Sequence, residues 1–465
     1  MAKRKTLWRG LSALFAFVFT LSCVAGTILE GYKATIDTNL GTQSEKFVSE
    51  NTADDPLYDK FTPSAEVLNA DGTGNSHALI QKAIDLGHKQ AVEGAVLLKN
   101  ENNTLPLASG SNVTLLGIRS HISLLGSSFG VKAKGPYISL EQALSQNKTD
   151  FHNTIAYTLN TNYKTGEVTR ALSLSEWNGD EFEFEGAGFN VNPTMVDIYT
   201  KLNETYQHSE NETPFANYDP QEPSLAEVKA TNSDYEASFA QYGDAAIVVI
   251  SRPTAESKDY LPGSVAEGTG ASEPLELTTN EREVIETAKK ASDKVIVLIN
   301  TANAVEIGDL KNDPDIDAIL WIGLPGCYGM LGVADILCGR VSPSGAMSDI
   351  YATYNMSAPA MQNMGNFTYT NAEDVVTRAK SQNYIIEAEG IYVGYRYYET
   401  RYADAVNGVG NAASPVGAYA SSTEWNYDNE VTYGFGYGLS YTTFERELQG
   451  QPEFSIDYDD ETGAP

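Results

Sequence analysis

Three short apolar runs in the middle of the chain predict buried β-strands, at residues 245–250, 294–299 and 318–322. Each run is rich in β-branched residues without polar alternation, which is typical of a strand covered on both faces. Helical periodicity separates the runs, most clearly over residues 278–291. An earlier run at 113–118 fits the same scheme. The pattern predicts an α/β fold with a mostly parallel sheet sandwiched by helices.

Such a sheet brings the loops that follow its strands to one edge. Parallel strands are joined by right-handed crossovers, so their carboxyl ends point the same way. Here the loops begin at Ser251, Asn300 and Gly323. We expect their residues to converge in space.

The N-terminus has a different pattern from the rest of the chain. Lys3, Arg4, Lys5 and Arg9 precede an uncharged apolar run over residues 10–29, about the length that a helix needs to cross a bilayer. Basic residues on the short side predict a transmembrane helix with the bulk of the chain outside the cell membrane. A cleaved signal peptide followed by secretion, or a lipid-modified Cys23, are the alternatives, and each also exports the rest of the chain.

Polarity along the chain suggests its domain organisation. Residues 1–30 form the anchor or signal segment, 31–75 a polar stalk, and 76–445 the α/β domain, with polar insertions at 163–223 and 370–388. Residues 446–465 are interpreted as the start of a following domain that is truncated.

Charge and composition exclude several classes of function. The chain has 31 basic and 62 acidic side chains, a net charge of −31, which repels phosphate backbones and disfavours nucleic acid as a partner. Its three cysteines, Cys23, Cys327 and Cys338, do not make a disulfide framework or a zinc motif. The five histidines are scattered. We therefore expect neither a metal nor another cofactor.

Several short motifs follow one another in register from about residue 80 to 445. They are EGAVLLKN (93–100), LPL (105–107), AIVVI (246–250), VIVLIN (295–300), AILW (318–321), GLPG (323–326), GRVSPSG (339–345), VGYRYY (393–398) and FGYGLSY (435–441). Together they resemble the C-terminal domain of glycoside hydrolase family 3.

This resemblance implies part of a retaining, exo-acting, β-glucosidase-like hydrolase of terminal β-linked sugars. In the family, a (β/α)8 barrel carries an Asp nucleophile and the α/β sandwich supplies a Glu that protonates the leaving oxygen. Fewer than 80 residues precede the sandwich here, so the chain resembles members with reversed domain order. We expect the barrel to follow residue 465, and the chain alone to be inactive.

The resemblance also identifies Glu256 as the catalytic acid/base, because it lies in the acidic loop that follows the run at 245–250. Relatives commonly flank this Glu with Gly, whereas Ala255 and Ser257 stand here. A solvated carboxylate paired with Lys258 is the alternative. The further candidates are Glu267 and Glu273 for the acid/base role, and Arg252 and Asp259 for contacts to a sugar hydroxyl, for holding the loop or for a local ion pair.

Two other functions are weighed against hydrolysis. One is a noncatalytic sugar-binding or scaffold module at the cell surface. The other, a flavodoxin-like nucleotide binder, is disfavoured because no Gly-rich phosphate loop follows the first strand. The tyrosine-rich run at 392–402 is interpreted either as a stacking surface for a pyranose or, with aromatic residues at strand spacing, as core.

Overall fold

The computed structural model describes residues 2–33, 76–121, 123–124, 138–145, 149–150, 156–161, 168–173, 183–205, 222–252, 260–265, 267–365, 367–370, 383–419, 424–443, 445, 447 and 449–450. The chain divides into two compact units, Met1–Ala65 and Glu66–Pro465. Nearly all of the predicted stalk at 31–75 and most of the predicted segment at 446–465 lie outside the described residues.

The described part of the first unit is dominated by one helix, α1 (Ala2–Gly31). Its segment Trp8–Gly31 has a mean hydropathy of 2.1 and is long and apolar enough to span a membrane. The predicted apolar helix is therefore present. A cleaved signal sequence has similar length and polarity, so the two interpretations differ in processing rather than in structure.

The second unit contains the sheet and the helices that cover it. The strands are β1 (Val96–Asn100), β2 (Asn112–Leu116), β3 (Thr149–Asp150), β4 (Ala156–Thr161), β5 (Val168–Ser173), β6 (Glu183–Phe184), β7 (Asn190–Val191), β8 (Ala245–Arg252), β9 (Val295–Thr301), β10 (Ala318–Trp321), β11 (Tyr351–Ala352), β12 (Phe367–Thr368), β13 (Asn383–Tyr384) and β14 (Val431–Tyr433). The helices are α2 (Ser76–Gly94), α3 (Ile118–His121), α4 (Leu140–Ser145), α5 (Pro193–Thr205), α6 (Leu225–Thr231), α7 (Thr279–Ala291), α8 (Gly308–Asn312), α9 (Met330–Leu337), α10 (Pro359–Gln362), α11 (Tyr395–Asn407) and α12 (Tyr427–Glu430).

The main sheet has six strands in the order β1-β10-β9-β8-β2-β7. Neighbours from β10 to β7 run parallel, as the apolar runs predict. Strand β1 differs, because it pairs antiparallel with β10 at one edge, an arrangement common in doubly wound sheets. The predicted runs at 245–250, 294–299 and 318–322 all form strands of this sheet.

Both faces of the sheet are covered, so the core has two layers. Successive residues along β8 alternate between them: Ile247 and Val249 belong to one cluster with α4 and α9, and Ala246 and Val248 belong to the other with α5 and α7. Alternation of period two sends adjacent side chains to opposite faces. The strand is buried along its full length, which explains why its sequence is continuously apolar.

Helix α7 has a start that its sequence specifies. Thr278 is its N-cap, and the Thr278 side chain and Glu281 form a reciprocal capping box with the backbone N–H groups of the first turn. The predicted helix at 278–291 is confirmed, with Thr278 as the cap.

The C-terminal part packs around a third, smaller core. It contains Ile350, Tyr398, Trp425 and Val431, all buried. The tyrosine-rich run forms helix α11 rather than a strand, so the expectation of strand spacing is wrong. Gly394 precedes the helix with φ of 56°, a conformation that favours glycine, and the helix ends at Gly408 in the left-handed conformation.

Candidate active site

The loops that follow β8, β9 and β10 meet at one edge of the sheet, as predicted. The buried Asn300 amide Nδ2 donates to Gly323 O at 2.7 Å and to Leu124 O at 2.9 Å. Its Oδ1 accepts from Leu124 N at 2.6 Å. Thr301 Oγ1 donates to Arg252 O at 3.1 Å. Side chains at the ends of the strands thus hold the three loops together.

The strand order also singles out one position along this edge. Strand β2 lies between β7 on one side and β8 on the other, so the order of the parallel strands reverses there. In open α/β sheets, ligands bind in the crevice at the carboxyl ends of the strands where the order reverses. Strand β8, which ends at Arg252, is the neighbour of β2 at this position.

Glu256 and Asp259, predicted as acid/base and substrate contact, lie outside the described residues. The two alternative carboxyl groups of the same loop are described. Glu267 is exposed. Glu273 is half-buried, and its Oε2 accepts from Gly263 N at 2.7 Å. Glu273 is therefore engaged within the loop, while Glu267 is solvated.

Arg252 is fully buried at the end of β8. Its Nε donates to Pro274 O at 3.0 Å and its Nη1 to Ser251 O at 2.9 Å. Both Nη atoms bind the Glu281 carboxylate, at 2.6 and 3.0 Å, and Nη2 also donates to Glu276 O. The five N–H donors of the guanidinium are thereby all used. The sequence allowed several roles for Arg252. These contacts agree with a role in holding the loop and do not agree with binding a sugar hydroxyl.

A third carboxyl group, Glu306, was not identified from the sequence. It follows β9 at the same edge, and its Oε1 accepts from Asn355 N at 2.7 Å. Burial raises the pKa of Glu306 from 4.5 to about 7, against the effect of the Asn355 N–H, and the charges of Glu276 and Glu273 add to the rise. The sequence shows that Glu306 follows a strand but does not show that it is half-buried near the carboxylates of Glu276 and Glu273.

The raised pKa of Glu306 predicts a pH dependence of stability. The fold favours the protonated carboxyl, so its contribution is complete below about pH 4.5 and is lost as pH rises through about 7. Between about pH 5 and about pH 8, the melting temperature of the wild type should fall more steeply than that of Glu306→Gln. Thermal melts across this range measure the difference. The exposed Glu267→Gln is the control, and equal slopes for wild type and Glu306→Gln would contradict the prediction.

The end of β2 is filled by a carboxyl group of the chain itself. Glu222 is buried and accepts from Ile118 N through Oε1 at 3.2 Å and Oε2 at 3.0 Å. Burial raises its pKa well above the ordinary value, against the effect of the Ile118 N–H. Gly117, at φ of 88°, has Glu222 Oε2 within 3.3 Å of the position of an added Cβ. This carboxyl lies where a nucleotide phosphate would meet the first βα turn, which disfavours the flavodoxin-like hypothesis.

The tyrosine-rich helix α11 contributes to both core and surface. Tyr398 is buried, and its hydroxyl lies 2.7 Å from Ser357 Oγ. Tyr402 is exposed and its ring lies 5.0 Å from that of Tyr427. The helix is therefore anchored by Tyr398.

Cys327 and Cys338 are free thiols of intermediate exposure. Burial raises the pKa of Cys327. Across the described parts of the chain, there is no group of three or more His, Cys, Asp and Glu side chains that could hold a metal ion.

Taken together, the doubly wound sheet and the loops at its switch point define an α/β domain that presents carboxyl groups at the carboxyl edge of its strands. Residues 95–441 match the Glycosyl hydrolase family 3 C-terminal domain. The match covers most of the chain, and the chain belongs to this family, as its motifs predicted.

Known proteins agree with this assignment. β-Glucosidase A of Butyrivibrio fibrisolvens is 27% identical over 419 residues, covering 87% of this chain and 40% of that protein. A β-glucosidase of Ruminococcus albus is 27% identical over 212 residues, covering 46% of this chain and 17% of that protein. The crystal structure of a β-glucosidase from Paenibacillus barengoltzii matches 80% of this chain and 31% of that one, with 24% identity and a TM-score of 0.52. The chain thus spans two fifths or less of each of these relatives.

Proposed function

We propose that this chain is the acid/base-bearing part of a retaining, exo-acting β-glucosidase that cleaves terminal β-linked sugars. The observation that supports the proposal is that β8 ends at Arg252 beside the switch point of a family 3 sandwich domain, and Glu256 follows four residues later in the sequence. The test is whether loss of the Glu256 carboxyl affects poor leaving groups selectively, measured in the protein that carries both domains.

The proposed chemistry divides two carboxyl groups between two domains. Retaining hydrolysis needs a nucleophile and an acid/base about 5 Å apart across the scissile bond. An Asp of the barrel attacks the anomeric carbon while Glu256 donates its proton to the departing oxygen. Glu256 then removes a proton from water, and the resulting attack releases the sugar and regenerates the Asp. Proton transfers and a transient ester between the sugar and the Asp account for all steps, so no cofactor is required.

The neighbours of Glu256 have supporting roles in this proposal. Asp259 follows in the same loop and is proposed to bind a sugar hydroxyl or to pair locally with Lys258. The pKa of Glu306, about 7, makes it a second carboxyl that could hold a proton at neutral pH. Glu306 is therefore the described residue against which the assignment of Glu256 has to be tested.

The barrel is proposed to be a domain that follows this one. The relatives' greater length leaves room for such a domain. The surface of the second unit also supports a partner, since among its described residues every exposed large apolar side chain except Leu86 lies between Tyr369 and Leu439. Ile391 is 71% and Phe435 51% exposed. Exposed apolar side chains concentrated in one part of a chain are typical of an interface.

We call the segments 391–395 and 435–439 the apolar surface. The stacked rings of Tyr395 and Phe435, with centroids 4.3 Å apart, join the two segments. The backbone of the second segment is fixed to β1, where Leu439 N donates to Leu97 O at 2.8 Å. We propose that the barrel covers this surface.

A noncatalytic cell-surface module is the second candidate function. It predicts that the reading frame of the gene has a stop codon directly after Pro465, whereas the enzyme predicts that it continues into a barrel with an Asp at a strand end. Sequencing the gene beyond this point separates the two.

Helix α1 is proposed to anchor the protein in the cell membrane with the second unit outside. Its basic N-terminal flank, Lys3 to Arg9, favours this orientation. We expect peptides from residues 10–31 to be recovered by mass spectrometry from the membrane fraction, together with the rest of the chain. A mature protein in the medium that begins beyond residue 20 would show a cleaved signal instead.

A further inference from the structure

One buried side chain joins both ends of the loop that follows β8. Arg252 is the last residue of β8, and the loop returns through residues 274–278, which lead into α7. The Arg252 guanidinium donates to two carbonyl groups of this returning limb, Pro274 O at 3.0 Å and Glu276 O. The outgoing and returning limbs are therefore tied to each other at the base of the loop.

The negatively charged partner of Arg252 is Glu281, which lies in helix α7. The side chains of Arg252 and Glu281 are 0% and 3% exposed. Besides both Nη atoms of Arg252, the carboxylate of Glu281 accepts from Thr278 N at 2.8 Å and Thr278 Oγ1 at 3.1 Å. The same pair thus connects β8, the returning limb and the first turn of α7.

Stability alone does not explain such a pair. Two apolar residues that fill the same volume are often as stabilising as a buried ion pair, because desolvation of the charges offsets their attraction. They would not, however, bind the carbonyl groups of Pro274 and Glu276. The planar, rigid fork of a guanidinium fixes the direction of each of its hydrogen bonds. What the pair adds is a defined position of one limb relative to the other.

We propose that Arg252 and Glu281 form a positioning clamp for the acid/base loop. The inference rests on the proposed function of that loop. The clamp does not touch the sugar; it acts through the loop, by fixing both of its ends at the switch point. A displacement of about 1 Å in a catalytic group can slow a reaction by about 10²-fold, so loss of the clamp should impair proton donation without removing any reacting group.

The first test uses hydrogen exchange on this chain and needs no activity. The double variant Arg252→Met with Glu281→Met keeps the site filled and uncharged, and Arg252→Lys keeps the charge but not the fork. In both, the amides of Gly263, Ser272 and Thr279, which are bonded within the loop and its returning limb, should exchange at least about tenfold faster. Amides in the middle of β9 should not change.

A matched control lies at the opposite edge of the sheet. Lys289 and Asp313 also form an ion pair, at 2.5 Å, between the last turn of α7 and the segment before β10. Asp313→Asn should leave the three loop amides unchanged. Unchanged exchange of these amides in the double variant, or faster exchange throughout the sheet to the same extent, would overturn the clamp.

The second test uses the protein that carries both domains. Arg252→Lys should lower kcat/KM, which reports the step in which the leaving group departs, by about 10²-fold for a phenyl β-glucoside and by less than about tenfold for a dinitrophenyl β-glucoside. A merely structural role would lower both equally through loss of active protein, and that result would also overturn the proposal. If Glu256→Ala shows no leaving-group dependence, the proposed function fails instead, while hydrogen exchange still decides the clamp.

Discussion

Hydrolysis of a phenyl β-glucoside is expected to slow by about 10² to 10⁴-fold in Glu256→Ala, while hydrolysis of a dinitrophenyl β-glucoside should slow far less. The dinitrophenolate departs without a proton, whereas the phenolate needs one as the bond breaks. Measurement of kcat/KM for both substrates, in the protein that carries both domains, gives the difference, because kcat/KM excludes the later attack of water that Glu256 assists as a base. The decrease in rate at basic pH should also disappear, since it results from loss of the proton from the Glu256 carboxyl.

Two variants at the same edge of the sheet serve as controls. Glu306→Gln and Glu273→Gln remove two other carboxyl groups at this edge and leave Glu256 unchanged. Neither should show a dependence on the leaving group. If Glu306→Gln shows it and Glu256→Ala does not, the acid/base is Glu306, and the assignment of Glu256 by family resemblance is wrong.

The chain assayed alone is expected to show no appreciable hydrolysis of aryl β-glucosides, and activity should appear when the barrel is supplied. One carboxyl can donate a proton but cannot also form the covalent glycosyl intermediate. Enzymes of ordinary efficiency exceed the uncatalysed rate by about 10⁶-fold or more, so the gain on adding the barrel should be large. The measurement is the rate of phenol release at fixed chain concentration with increasing barrel.

Substitutions in the apolar surface test whether activity depends on binding of the barrel there. Ile391→Asp and Phe435→Asp should raise the concentration of barrel needed for half-maximal activity, since they place a charge in the proposed interface. Leu86→Asp changes an equally exposed apolar residue on α2 and should have no effect. Robust turnover by the chain alone would instead overturn the division of the two carboxyl groups between two domains.

Much of the fold could be predicted from local pattern. Strands β8, β9 and β10 are buried on both faces, and burial of this kind selects continuous apolar runs such as 246–250. Helix α7 carries its own start signal in Thr278 and Glu281. The secondary structure of the aromatic run at 392–402 was harder to predict, because tyrosines suit a strand surface as well as a helix that packs one face on a small core. Only the contacts of Tyr398 with that core decide for the helix.

The candidate site could be predicted only in part, for a related reason. Position after a strand is a local property, and it correctly brought Ser251, Asn300 and Gly323 to one edge. The surroundings of a side chain are not local. Arg252 looks equally suited to bind a sugar or a carboxylate until Glu281, which is distant in sequence, is placed beside it.

The sequence by itself determined the alternation of buried strands and helices, the family, and the apolar N-terminal helix, since each is set by the order of residues along the chain. Tertiary structure alone decided that Arg252 is closed within an ion pair, that Glu306 has a pKa of about 7, and that Glu222 fills the end of β2. Burial and charge at these three sites arise from segments that are far apart in the chain, and their effects on a carboxyl or guanidinium exist only once folding has removed water from between them.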